Sequence, residues 1–194
     1  MTKRISTLLL SGMLLALALI ANPQAVQGTM DWQALGAAWK AYKEDPVGAK
    51  AIAIINLLPN NMKITDTKDG FLVINQILDQ LSILEETIYT GETNSAKLGF
   101  RLFTISSGPF ETALNRIIGN LIRFNTMLFL QELSGQRDFF TTLEPIVGSF
   151  INDYPEDPAA RELERKMRIK ALENVEDKSL KSLRNECIKI LKKL

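Results

Sequence analysis

Arg116, Asn120 and Arg123 fall at intervals of four and three residues, so on a helix they form one stripe. Two guanidiniums and a carboxamide in line supply forked N–H donors suited to a carboxylate or a phosphate. The stripe sits among Ile117, Ile118, Leu121 and Ile122, and it also fits a polar helix face paired with Asp79, Glu85 or Glu86. The second use is the ordinary one for such a pattern. Arg116, Asn120 and Arg123 are therefore candidate contacts to an anion or partner, with internal pairing as the alternative.

A second set lies near the C-terminus. At about 100° per residue, Leu180, Leu183, Cys187, Ile190, Leu191 and Leu194 share one arc of a helix. Lys178, Lys181, Arg184, Lys189, Lys192 and Lys193 take the opposite arc, with Glu186 near its edge. Such a helix can lie on an anionic lipid surface or dock an acidic protein partner. It can also pack its apolar arc on a core and hold its lysines in water. Lys181, Arg184, Lys189, Lys192 and Lys193 form the candidate docking face. Residues 161–194 hold eleven Lys or Arg against six Asp or Glu, while residues 29–160 hold ten against sixteen, so charge is polarised along the chain. No aromatic residue interleaves with the basic ones, which makes nucleic acid an unsuitable partner.

Histidine is absent. That removes Ser-His-Asp and Cys-His hydrolysis, His-ligated zinc and His proton relays. A single cysteine, Cys187, removes intramolecular disulfides, CxxC redox chemistry and thiolate zinc clusters. Its place on the apolar arc suits a small buried hydrophobe. No catalytic, metal or cofactor site is expected. A hydrolase working with two acids across a cleft needs no histidine, and Glu85, Glu86, Glu111 and Glu144 are the acids available to it. Asp45, Asp138, Asp157 and Asp177 stand where helix caps are needed. Trp32, Trp39 and Tyr42 would line an apolar or sugar site, but at helical spacing with Leu35 they read as core.

The elements that must position these residues read as helix after helix. The first runs from about Met30 to Glu44; Asp45 caps the next, with Pro46 at its first position. Val47 to Leu58 is apolar nearly all round, which predicts burial on most sides. Lys63 to Gly70 is the longest loop, and Phe71 to Tyr89 is one long helix closed by Gly91. Thr93 or Asn94 caps a shorter helix that ends before Ser107-Gly108-Pro109, and Glu111 stands in the first turn of the helix after that break. Phe110 to Leu133 is one helix or two, with Gly119-Asn120 and Asn125 as weak points. Asp138 caps the next, in which Pro145 implies a kink or a fresh start at Glu144. Asp157-Pro158 begins a helix whose apolar side is Leu163, Met167 and Leu172, and Asp177 caps the last. The expectation is an all-α domain over 29–194 of about eight helices packed as antiparallel hairpins. A bundle and a short HEAT-like solenoid both remain open, and no repeat period supports the solenoid.

Residues 1–28 carry the pattern of a secretory signal peptide: Lys3-Arg4, an uncharged run from Ile5 to Ala21, the breaker Asn22-Pro23, and small residues at Val26 and Gly28. Cleavage after Gly28 is favoured, with Ala25 as second choice. The rival is an uncleaved anchor formed by residues 5–21, at the lower length limit for a bilayer span. Location is thus expected to be periplasmic or extracellular. With no chemistry above background, the expected function is a non-enzymatic module that binds a protein partner. The alternatives are a carrier for a lipid or other apolar ligand, with a pocket between helices, and a carboxylate-dependent hydrolase of cell wall or glycans.

Overall fold

Local stop signals set many of the helix ends. The computed structural model describes residues 30–59, 68–152, 154 and 156–194; the signal peptide, its anchor alternative and most of the expected 63–70 loop lie outside them. The described residues form α1 (Trp32–Glu44), α2 (Gly48–Leu57), α3 (Lys68–Leu78), α4 (Leu81–Tyr89), α5 (Thr93–Leu102), α6 (Gly108–Phe124), α7 (Thr126–Gly135), α8 (Glu144–Val147), α9 (Pro158–Glu173) and α10 (Lys181–Leu191). Short 3-10 turns at Arg137–Phe139 and Ser149–Asn152 join the later ones, and no strand occurs among the described residues. The all-α expectation holds, with ten α-helices there in place of about eight.

Several ends are where the residue types put them. Asp31 and Asp157 cap α1 and α9 by accepting from Ala34 N at 2.8 Å and Ala160 N at 2.9 Å. Gly91, at φ +94°, ends α4 in a double turn: its N–H donates to Ile88 O and that of Glu92 to Thr87 O. That arrangement needs the left-handed residue that glycine supplies. Asn125 splits 108–135 into α6 and α7 and caps α7 through Leu128 N at 3.1 Å.

Elsewhere tertiary demands override the local pattern. The stretch 71–89 is two helices, because the chain breaks at Asp79-Gln80, where the Gln80 amide oxygen accepts from the Trp39 indole at 3.1 Å. The break lets Ile77 and Leu81, Leu84 and Ile88 all reach the core. Lys68 to Gly70, expected as loop, opens α3. Pro46 forces Asp45 out of the helical region, so Asp45 ends α1, and α2 starts at Gly48 with Val47 extended before it. Helix α2 buries one face, Ala51 and Ile54, and leaves Val47 and Ile52 each 43% exposed, so burial on most sides does not occur. The cap of α5 is the longer acid Glu92, which accepts from Ser95 N, and not Thr93 or Asn94. Asp138 lies in a 3-10 turn; the regular helix starts afresh at Glu144, with Pro145 in its first turn. Asp177 folds into a turn that accepts from Ser179 N and Oγ, and α10 begins four residues later at Lys181.

One continuous cluster of buried apolar side chains runs from Trp32 to Leu191. Helix α6 is its hub, meeting α3, α4, α5, α7, α8 and α9. The hub works because Gly119 lets the backbone of α8 come close: a Cβ there would lie 2.3 Å from Ile146 O and 2.3 Å from Ser149 Oγ. Gly119→Ala should therefore cost about 1–3 kcal/mol of stability despite alanine's better helix propensity. Gly135→Ala, where a Cβ meets nothing within 4 Å, should be neutral or stabilising by up to ~1 kcal/mol. Urea midpoints of the two variants check this; equal midpoints would mean that α6 and α8 do not depend on a bare backbone at Gly119.

Candidate functional site

Each candidate side chain has a definite place. Arg116 on α6 holds Glu85 of α4 bidentately, at 2.6 and 2.8 Å, at the half-exposed edge of the α4–α6 contact. Asn120 donates to the Tyr89 hydroxyl at 3.0 Å and accepts from Arg168 at 2.6 Å. Arg123 donates to Glu164 of α9 at 3.1 Å. The stripe is thus committed to neighbouring helices; as an anion site it would first have to release them.

The deepest charge is one the residue pattern does not reveal. Arg168 has 0% exposure. Its Nε donates to Glu164 at 3.0 Å, Nη1 to Val147 O at 3.1 Å and Nη2 to Asn120, and its guanidinium lies 4.8 Å from the Phe150 ring centre. Glu164, nearly as buried, receives Arg168 on one oxygen and Arg123 on the other. The core-facing side of α9 is therefore Glu164, Arg168 and Leu172, while Leu163 (60%) and Met167 (37%), expected inside, face outward. The i, i+4, i+8 spacing of these three residues was the available signal. The polarity of two of them hid it.

Trp32, Trp39 and Tyr42 are core. Thr87 Oγ1 gives its only proton to its own helix, to Ile83 O at 2.9 Å and Leu84 O at 3.0 Å. The Tyr42 hydroxyl, 2.7 Å from both Thr87 and Ser95, therefore donates to Thr87 and accepts from Ser95. Burial raises the Tyr42 pKa further above its usual range, so the phenol stays neutral. Burial also pushes the Cys187 thiol up to about 12, which leaves it a protonated hydrophobe. Of the carboxylates, Glu85 is held by Arg116, Glu86 is exposed on α4, and Glu111 and Glu144 occupy first turns.

The basic set is the one that stays available. On α10 the apolar arc is used: Cys187 and Leu191 are buried, and Arg165 of α9 donates to Leu191 O at 3.3 Å. Opposite, Arg184, Asn185, Ile188, Lys189, Lys192 and Lys193, with Glu173 from the end of α9, line an open groove of about 530 Å³. Arg184 is fixed there by donating to Val175 O and Asn185 Oδ1. Lys189, Lys192 and Lys193 are exposed and make no ion pair among the described residues. Lys181 is exposed at the start of α10 but does not line the groove. A smaller groove of about 240 Å³ is walled by Phe150, Pro158, Arg161, Glu162, Arg165 and Leu194. Arg165 and Lys166 hold the Glu162 carboxyl down at about 2, ionised at any ordinary pH. Among the described residues, each groove thus contains a single acid, Glu173 in one and Glu162 in the other. Among them, too, no three of Cys, Asp and Glu converge as metal ligands.

The buried and exposed ion pairs differ in what they should be worth. Arg168→Met leaves buried Glu164 with Arg123 as its one cation and takes the guanidinium from Val147 O and Asn120 Oδ1, and should cost about 3–5 kcal/mol. Arg116→Met breaks a half-exposed pair and should cost under ~1 kcal/mol. Urea unfolding of the two variants distinguishes them; a similar loss in both would mean that the Arg168 network does not hold α9 in place.

No protein family matches the chain, and no curated protein or solved structure resembles it.

Proposed function

We propose that this chain is a non-enzymatic helical binding module, acting outside the cytoplasm, that recruits an acidic protein partner to the basic groove of α10. The observation that carries the reading is the charge of that groove: four cationic side chains, Arg184, Lys189, Lys192 and Lys193, stand against one acid, Glu173. Cations concentrated on one surface accelerate encounter with an acidic partner and select against basic ones. A lipid surface is less well served. Interfacial helices bury an apolar face among acyl chains, whereas the apolar arc of α10 is occupied by its own core, Leu180, Cys187 and Leu191. The carrier and hydrolase readings have weaker support, since the groove is open and has one carboxylate.

Binding of poly-L-glutamate to the full chain should weaken steeply with added salt and vanish in Lys189→Glu/Lys192→Glu/Lys193→Glu, while Lys40→Glu/Lys43→Glu on α1 leaves it intact. Equal loss in both variants would mean diffuse attraction and no docking face.

Export rests on residues 1–28 alone, with their basic start, apolar run and small-residue end. The intact mass of the protein recovered from its own host should lack about those residues. A full-length species in the membrane fraction would replace the signal peptide by an anchor.

A further inference from the structure

We infer that the occupant of the groove is an acidic amphipathic helix lying along α10, with an apolar side chain on Ile188 and carboxylates one turn away on either side; this deepens the acidic-partner reading and rests on it. Spacing is the first support. Arg184, Ile188 and Lys192 succeed one another at i, i+4 and i+8, which places an apolar site between two cations. Lys189 and Lys193 form a second row beside the first. From Arg184 to Leu191, where α10 ends, the helix rises roughly 10 Å, about two turns, and Lys192 and Lys193 follow in the turn that closes it.

Charges on a partner helix recur with the same rise per turn, so successive carboxylate–lysine pairs stay in register along that length. Same-face residues of an extended peptide recur about 6.6–6.8 Å apart, longer than the roughly 6 Å between successive positions of one row, so its pairs drift out of step. The floor suits an apolar anchor as well. Ile188 is half-buried and shares the lining of the groove with the exposed Lys189, Lys192 and Lys193, whose long stems are of a kind that covers apolar surface while the ammonium group stays in water.

The opposite wall adds polarity. Glu173, at the end of α9, would face the side of the partner turned away from the lysines. An acid on that side is repelled, so the partner must carry its carboxylates along one edge. A uniformly acidic chain satisfies the lysines but meets Glu173, whereas a helix with one acidic edge satisfies both.

The test uses the full chain and two fluorescein-labelled peptides of about fourteen residues, near the length at which an isolated helix becomes marginal. One places Glu and Leu so that leucines form a stripe with glutamates along one edge. The other has the same composition in an order that shares no face. Fluorescence anisotropy should show the first peptide binding roughly tenfold or more tightly than the second. Lys189→Glu/Lys192→Glu, with its circular dichroism unchanged, should abolish that binding. Glu173→Gln, which leaves every cation in place, should narrow the preference between the peptides by strengthening the second. Equal binding of the two peptides overturns the helix inference and leaves the acidic-partner reading standing. Binding of neither overturns both. Binding to phosphatidylserine–phosphatidylcholine vesicles without binding to either peptide also overturns both and makes the surface a lipid contact.

Discussion

A guanidinium with no exposed surface governs how the second half of the molecule is assembled. Burying an unpaired charge costs several kcal/mol, so Arg168 can occupy its position only while its partners stay in place. Those partners come from separate elements: Glu164 from α9 itself, Asn120 from α6, Val147 O from α8 and the Phe150 ring from the turn after it. None of the three hydrogen-bonding partners can shift without taking an acceptor from a buried donor, a loss larger than a typical hydrogen bond contributes. Helix α9 is thereby locked against α6, and α10 rests on α9 through Leu172, Leu191 and the Arg165 bond to Leu191 O. The groove inherits its shape from that sequence of contacts, since Glu173 and the cations of α10 come from the two helices the buried arginine sets in place.

The first half is held together with little charge. Tyr42, Thr87 and Ser95 join α1, α4 and α5 by hydroxyl bonds, and Trp39 reaches Gln80 at the break between α3 and α4. Arg101 donates to the carbonyls of Leu58 and Pro59 just beyond the end of α2, at 3.0 and 2.8 Å, and so ties the chain leaving α2 to α5. Close contact replaces side-chain bulk where α5 meets α6: a Cβ at Gly99 would lie 2.6 Å from Ile118 Cδ1. Both glycine crossings use α6, and each trades helix propensity for tighter packing on the hub.

Helix type and most helix existence were legible in the sequence because apolar spacing is a local property. Trp32, Leu35, Trp39 and Tyr42 lie inside as their spacing requires, and Asp157-Pro158 begins a helix as its chemistry requires. What was not legible depends on distant residues. Nothing local marks a break at Asp79-Gln80; the bond to Trp39 accompanies it. Glu164 and Arg168 read as a polar flank until partners from elsewhere make them an interior. Leu163 and Met167 lie outside for the same reason, since their flank of α9 receives no covering helix among the described residues. Of the candidate site, Arg184, Lys189, Lys192 and Lys193 come from helical periodicity, whereas Glu173 joins them only through the packing of α9 beside α10.

Both tryptophans of the chain lie in α1, seven residues apart and buried, with Trp39 5.6 Å from Tyr42 between ring centres. None of the described residues that line the groove is aromatic. Intrinsic tryptophan emission is therefore a gauge of one part of the molecule: it tracks α1 leaving α2, α3 and the break at Gln80, and no tryptophan lies where a ligand would settle on α10. A ligand can occupy the groove without touching a tryptophan, and a fluorescence melt can look two-state while the basic end has already loosened.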